Sequence, residues 1–209
     1  MAKGNGSLKN IVYQKTLDGI IQGEYKANQI INESELVEKY GFSKSPVREA
    51  LISLCNDGVL RNLPRYGYEV IRLTSRDAED ILRFRFLLES GFLRDCYESI
   101  TQAQLEELYR LDDLCNASVD DMWLHWEHNT NFHLALLSCA RNEYAWDQLK
   151  RSMGILKRAY AQFYWDKWDK EYNPIDMRYH RDILDCIEKK DIEGATKKLE
   201  LDLREFKSV

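Results

Sequence analysis

The chain has 209 residues, 44% hydrophobic and 31% charged, with a formal net charge of −5. This length fits one large domain or two modest ones, and the hydrophobic share excludes a wholly disordered chain. Residues 1–74 carry ten Lys and Arg against eight Asp and Glu while the remainder is acidic, a distribution typical of a nucleic-acid module joined to a second domain.

Neither a signal peptide nor a membrane span is predicted. The opening MAKGNGSLKN lacks the apolar stretch of a signal peptide, and no apolar run is long enough to cross a bilayer. The five cysteines are scattered and form no C-x-x-C pair, which is typical of reduced thiols inside a cell. We therefore expect a cytoplasmic protein without membrane attachment.

The first 74 residues are predicted to form a winged helix-turn-helix. Apolar spacing and caps predict three helices: residues 8–22, a second between Asn32 and Gly41, and a third from Ser43 or Ser45 to Gly58. The stretch 60–73 is predicted to be a β-hairpin, because Pro64 and Gly67 interrupt a run rich in Leu, Val, Ile and Tyr. Three helices followed by a hairpin are the outline of this DNA-binding motif.

Residues 75–209 are predicted to form an all-α bundle of about six helices. Apolar spacing predicts helices over residues 75–98, 101–115, 119–140, 142–165, 175–188 and 191–207. This part contains neither a predicted strand nor a glycine-rich phosphate loop. The predicted fold class is therefore mainly α, with a domain at 1–74 and a second domain at 75–209.

The start of the third helix has the chemistry of an anion-binding surface. Ser43, Lys44, Ser45 and Arg48 lie in or near its first turn, where backbone N–H groups are unpaired and the helix dipole is positive. Lys44 and Arg48 lie four residues apart on one face, from which they could reach phosphates or guanine acceptors. Taken singly, such residues are usually no more than a solvated helix face.

The sequence as a whole resembles the GntR family of bacterial transcription regulators. The stretch GFSKSPVREAL at Gly41–Leu51 closely follows the family pattern Gly-Val-Ser-Arg-x-Pro-Val-Arg-Glu-Ala-Leu. The remainder resembles the ligand-sensing FCD domain of the FadR subfamily in three shorter motifs: FRFLLES (Phe84–Ser90), NFHLALLSCARN (Asn131–Asn142) and YHRDILDCIEKKDIEGA (Tyr179–Ala195). The resemblance implies a homodimer that binds a pseudo-palindromic operator and responds to a small metabolite, often an organic acid.

The resemblance also implies contacts to double-stranded DNA beyond the third helix. Arg65, Tyr66 and Gly67 match the wing tip, where a glycine allows the backbone to approach DNA closely. The second helix carries Ser34 where the family usually has a DNA-contacting arginine, so we expect a different operator preference.

Many FCD domains hold a divalent metal, and the resemblance implies the corresponding positions here. They are Asn129, His133, His180 and Asp202, where the family usually has Asp, His, His and His. Two imidazoles and a carboxylate can still bind Zn, Ni or Mn, and His125 could be a substitute ligand one turn before Asn129. A metal-free polar pocket with hydrogen-bonded histidines is the alternative. We expect the four side chains to share one cavity in either case.

Arg85 matches a family arginine that could bind an acidic effector in a bidentate manner. Its alternative role is an ion pair with Glu89, four residues later on the same helix. Two other functions are alternatives to a ligand-responsive regulator: a two-His-one-carboxylate metalloenzyme and a purely structural helical dimer. The enzyme is disfavoured, because no nucleophile–base arrangement is visible and a winged helix-turn-helix would be unexplained.

Overall fold

The computed structural model describes residues 7–164 and 179–204, which group into two compact units. Residues 7–74 and 158–164 form the first unit, and residues 75–157 and 179–204 form the second. The described helices are Leu8–Ile21 (α1), Glu33–Tyr40 (α2), Lys44–Asn56 (α3), Ser75–Cys96 (α4), Gln102–Ala117 (α5), Met122–Ser138 (α6), Glu143–Tyr164 (α7), Tyr179–Glu188 (α8) and Ile192–Arg204 (α9). The described strands are Ile30–Ile31 (β1), Leu60–Leu63 (β2) and Gly67–Val70 (β3).

The first unit is a winged helix-turn-helix, as predicted. The inner face of α3 consists of four fully buried residues: Val47, Ala50, Leu51 and Leu54. They pack with Val12 and Ile20 of α1 and with Leu36 of α2 in one apolar cluster. Burying these side chains contributes about 1.5–3 kcal/mol for each large one, which holds α3 in place.

The sheet of the first unit has an additional strand that was not predicted. In the described chain the strand order is β1-β3-β2, with Ile31 paired to Tyr68 and Leu60 paired to Val70 in antiparallel registers. Strand β1 is only two residues long, so it carries no alternating pattern that could be recognised in the sequence. Its role is to bury Ile31 and to cover one edge of β3.

Gly67 is required where the wing meets β1. Its φ is +127°, which side chains disfavour, and an added Cβ would lie 2.8 Å from the carbonyl oxygen of Ile31. Close packing against β1 is therefore sufficient to explain this glycine.

The end of α7 belongs to the first unit. Arg158 is buried and its Nη1 donates a hydrogen bond to the carbonyl oxygen of Gly58, at 2.8 Å. The side-chain amide of Gln162 accepts from the backbone N–H of Leu73 and donates to the carbonyl of Ile71. These bonds satisfy backbone groups at the end of α3 and after the wing.

The second unit is an all-α domain, which confirms the predicted mainly α fold class. Six α-helices lie in or enter its described part, and predicted and observed helix ends differ by a few residues where both are described. The predicted ends at residues 165, 175 and 207 lie outside the described residues. Helices α4, α5, α6, α8 and α9 share one apolar core, with Phe132, Ile183 and Leu199 fully buried. No described helix is long and apolar enough to span a membrane.

Candidate functional site

The predicted DNA-binding residues of α2 and α3 lie on the exposed side of the first unit. Ser34, Ser43, Lys44, Ser45 and Arg48 are all exposed. Ser43 occupies the N-cap position of α3 but makes no side-chain cap hydrogen bond, so its hydroxyl is not committed to the helix end. The opposite face of α3 is buried, so Lys44, Ser45 and Arg48 are held on a rigid support.

Arg48 has an acidic neighbour that was not identified from the sequence. Its Nε lies 3.7 Å from Glu33 Oε1, and the Arg48 side chain remains 68% exposed. The same Glu33 oxygen accepts a hydrogen bond from the Tyr68 hydroxyl, at 3.1 Å. Glu33 therefore links the arginine to the wing strand β3 without burying it.

The wing tip presents a cation and an aromatic ring to solvent. Arg65 has a positive φ of 74°, which turns the chain between β2 and β3, and Tyr66 is 72% exposed. Gly67 follows directly and begins β3. The arrangement places the three predicted wing residues at one turn.

A second group of predicted residues converges inside the second unit. His133 comes from α6, His180 from α8 and Asp202 from α9. His133 Nε2 lies 3.3 Å from Asp202 Oδ2, and His180 Nε2 lies 3.8 Å from Asp202 Oδ1. One potential ligand atom from each side chain lies within 4.8 Å of the others. We call these three residues the His–His–Asp cluster.

Two further predicted residues lie on the same face of α6 as His133, at intervals of four. The Oδ1 of Asn129 is buried and has no hydrogen-bond partner among the described residues. The Nδ1 of His125 bonds to the carbonyl of Cys115 at 2.8 Å, while its Nε2 is buried without a partner in the described chain. His128 is not part of this group, because its Nδ1 lies 2.9 Å from the carbonyl oxygen of Leu114.

Arg85 makes the ion pair that was considered as its alternative role. Its Nε lies 2.9 Å from Glu89 Oε1, and both side chains are at most 3% exposed. The other oxygen of Glu89 lies 2.7 Å from Nδ1 of His133. Arg85 Nη2 is buried with no hydrogen bond inside the described ranges. Arg85 therefore adjoins the cluster through Glu89 and retains one uncommitted donor.

The second histidine is held by different neighbours. The His180 ring stacks on Phe132, with centroids 3.7 Å apart and planes 14° apart. Its Nδ1 lies 3.8 Å from Asp112 Oδ1, and the other oxygen of Asp112 pairs with Arg181 at 2.8 Å. Aromatic stacking and a buried carboxylate therefore surround this imidazole on the side away from Asp202.

Burial and charge set the protonation of the cluster. Burial lowers the pKa of His180 to about 3, so that imidazole is neutral at physiological pH. Burial would raise the pKa of Asp202, but the neighbouring His180 and His133 prevail and hold it below its usual range. Burial opposes charge on His133 as well, but the carboxylate of Glu89 prevails and raises its pKa. Asp202 is consequently a carboxylate flanked by nitrogen ligands.

The donor set fits a divalent cation. Both nitrogens of His180 and Oδ1 of Asp202 are buried without hydrogen-bond partners in the described part of the chain. Each unsatisfied buried polar atom costs about 1–3 kcal/mol, so a bound ion or ligand would offset a penalty built into the fold. Two imidazole nitrogens and a carboxylate oxygen are ligands that Zn, Ni and Mn accept.

Sequence reasoning missed two acidic residues of this region. Glu89 was considered only as a partner of Arg85, and Asp112 was not considered. Asp112 lies four residues after the buried Leu108 and three residues before the buried Cys115, so it lies on the buried face of α5. A carboxylate on an otherwise apolar stripe is the pattern that could have identified it.

Comparison with known protein families matches both units. Residues 8–70 match the family described as bacterial regulatory proteins, gntR family. Residues 80–204, more than half of the chain, match the FCD domain. The first match covers the winged helix-turn-helix, and the second covers the helices that carry the His–His–Asp cluster.

Individual relatives are similar over most of the chain. A Bacillus subtilis protein named as the uncharacterized HTH-type transcriptional regulator YdhC is 27% identical, with 88% of this chain and 82% of that protein covered. The Escherichia coli transcriptional repressor RspR is 24% identical, over 84% of this chain and 77% of its own. The solved structure of E. coli McbR matches in fold with a TM-score of 0.75 and 22% identity, covering 95% and 94% of the two chains.

Proposed function

The chain belongs to the GntR-family transcriptional regulators that carry an FCD domain, and we propose that it binds a pseudo-palindromic operator as a homodimer in response to a small acidic metabolite. The observation that carries the proposal is the pairing of an exposed cationic α3 start with a buried His–His–Asp cluster. The names of the relatives, regulators and repressors, favour this function over a metalloenzyme. A cytoplasmic location and membership of the FadR subfamily are parts of the proposal.

We assign DNA recognition to the start of α3, to Ser34 and to the wing tip. An exposed helix N-terminus with Lys44 and Arg48 on one face suits entry into the major groove, since either side chain can bond guanine or phosphate. Ser43 and Ser45 carry hydroxyls that can bond phosphate, although Ser45 also donates to Glu49 at 2.9 Å. Arg65 and Tyr66 at the wing would contact the neighbouring groove or backbone, and Gly67, which has no side chain, would let the backbone approach the DNA closely.

Replacing Arg48 with alanine should weaken specific DNA binding by roughly 1–3 kcal/mol without unfolding the protein. The arginine is 68% exposed and its one described ion-pair partner, Glu33, remains anchored by Tyr68. Fluorescence anisotropy on DNA selected from a random library by the wild-type protein measures the change. Arg110→Ala, an exposed arginine of α5 in the second unit, is the matched control. Equal affinity of both variants would contradict the assignment.

We assign dimerisation to one face of α4. Phe84, Leu87, Leu88, Gly91 and Phe92 line a shallow groove along this helix, with spacings of three, one, three and one. Phe84 is 43% exposed and Leu87 is 64% exposed within the described chain. Two copies of this face can pack around a two-fold axis, which is also the symmetry that two operator half-sites require.

Leu87→Arg should convert the dimer to a monomer, because it places a charge at the centre of the proposed interface. Size-exclusion chromatography with light scattering at micromolar concentration gives the mass directly. Leu124→Arg is the control, since Leu124 is also a partly exposed leucine, at 43%, but lies on α6. A wild-type monomer, with and without DNA, would refute the dimer. A Leu87→Arg dimer would refute only the choice of interface.

We assign effector binding to the His–His–Asp cluster and its neighbours. His133, His180 and Asp202 would hold a divalent metal, with Asn129 as a fourth oxygen donor and His125 as an additional neighbour. A bound metal would supply positive charge that attracts a carboxylate. Arg85 would add a buried donor through Nη2, so the protein's own groups suit a small organic acid.

Titration of metal-stripped protein with Ni²⁺, Zn²⁺ or Mn²⁺ should show one site per chain, with Mn²⁺ weakest. Calorimetry measures affinity, and His180→Ala should abolish it, whereas His128→Ala should leave it unchanged because His128 bonds elsewhere. Affinity should fall as the pH is lowered through the pKa of His133, which Glu89 raises, because protonation of this imidazole competes with ligation. Absence of binding by all three ions would leave a metal-free polar pocket. Small carboxylic acids added to that protein would then test the effector assignment alone.

A further inference from the structure

We propose that Glu89 is a positioning residue of the cluster: it fixes the proton of His133 on Nδ1 and so aims Nε2 at His180 and Asp202. The inference rests on the proposed ligand site and extends it to a residue outside the ligand set. It concerns which nitrogen of His133 is available, and this can be measured without any metal.

The geometry places the two groups in a direct hydrogen bond. Nδ1 of His133 lies 2.7 Å from Glu89 Oε2, and the side chains are 1% and 2% exposed. An ionised carboxylate can only accept, so the hydrogen between the two atoms must be carried by Nδ1. The other oxygen of Glu89 accepts a hydrogen bond from Nε of the buried Arg85, and a guanidinium in this position favours the ionised carboxylate.

Arg85 fixes which way the carboxylate faces. Its Nε lies 2.9 Å from Oε1 of Glu89, so one oxygen is committed to the arginine and the other to His133. The two residues are four apart on α4, a separation at which helix side chains meet. With both oxygens engaged, the carboxylate cannot turn away from His133.

An amide in place of the carboxylate should reverse the arrangement. The Glu89→Gln side chain has nearly the same shape, but one end accepts and the other donates. Arg85 can only donate, so it should take the amide oxygen and leave the NH₂ group facing His133. Nδ1 of His133 would then have to accept, and its proton would move to Nε2. A protonated Nε2 cannot bind a metal or accept from a ligand.

Two-bond ¹H–¹⁵N NMR spectra distinguish the two nitrogens of His133. In metal-stripped wild-type protein, at a pH high enough that the His133 ring carries a single proton, Nδ1 should carry it. In Glu89→Gln the proton should be on Nε2. The signal is identified by its loss in His133→Gln, and Asp112→Asn is the matched control, since Asp112 is an Arg-paired buried carboxylate facing the other histidine.

A double variant tests the mechanism and covers the risk of misfolding. Glu89→Gln alone leaves Arg85 without its carboxylate, which is costly in a buried place. In Arg85→Met/Glu89→Gln no arginine competes for the amide oxygen, so the oxygen should accept from His133 and return the proton to Nδ1. If Glu89 acted through packing alone, removing Arg85 as well would not be expected to restore the proton to Nδ1 of His133.

Metal affinity gives the second measurement. Outer-shell variants typically lose 10–100-fold, so Glu89→Gln should bind Ni²⁺ 10–100-fold more weakly than wild type, and the double variant should recover part of the loss. A wild-type protein that binds no metal but shows the expected proton positions would refute the metal site and keep the positioning role. The positioning role of Glu89 is overturned if His133 keeps its proton on Nδ1 in Glu89→Gln. If Glu89→Gln does not fold, the role is overturned when the double variant carries the His133 proton on Nε2.

Discussion

The burial of one carboxylate between two imidazoles is the constraint around which the second unit is organised. The side chain of Asp202 is 5% exposed, and those of His133 and His180 are at most 1% exposed. Removing such groups from water costs several kcal/mol for each ion, and the 3.8 Å separation from His180 is too long to offset this with a hydrogen bond. A fold selected for stability alone would place apolar residues here, so the cluster points to a ligand.

The surrounding helices hold the polar groups by apolar packing. Phe132, next to His133 on α6, stacks on the His180 ring and is itself fully buried. Outside the cluster, each imidazole faces a carboxylate on its Nδ1 side, Glu89 for His133 and Asp112 for His180. Each of those carboxylates is paired with an arginine. Acidic and basic side chains therefore alternate along this line of contacts, with His180 as a neutral base, and a change in one group alters the environment of its neighbours.

The sequence allowed prediction of those structural features that depend on residues close together in the chain. The cap at Asn32, the apolar face of α3 and the glycine-bearing hairpin depend on residues close together in the chain, and the structure shows all three. Strand β1 was missed because it is two residues long and exists only through its pairing with β3.

The His–His–Asp cluster could not be predicted from local sequence patterns. Its members come from three helices that are distant in sequence, and only a family resemblance suggested grouping them. The contacts of Glu89 and Asp112 were beyond that resemblance, because they depend on how α4 and α5 pack against the histidines. The partner of Arg48 was missed for the same reason, since Glu33 belongs to a different helix.

Anomalous diffraction from crystals grown with Ni²⁺ or Zn²⁺ tests the central claim, that the cluster is a ligand site, most directly. The account predicts one anomalous peak per chain, in contact with Nε2 of His133, Nε2 of His180 and a carboxylate oxygen of Asp202 at roughly 2.0–2.2 Å. The ring of His133 should keep Nδ1 on Glu89 in that crystal. A map with saturating metal but no peak between these three side chains, or with peaks only at surface residues, would contradict it.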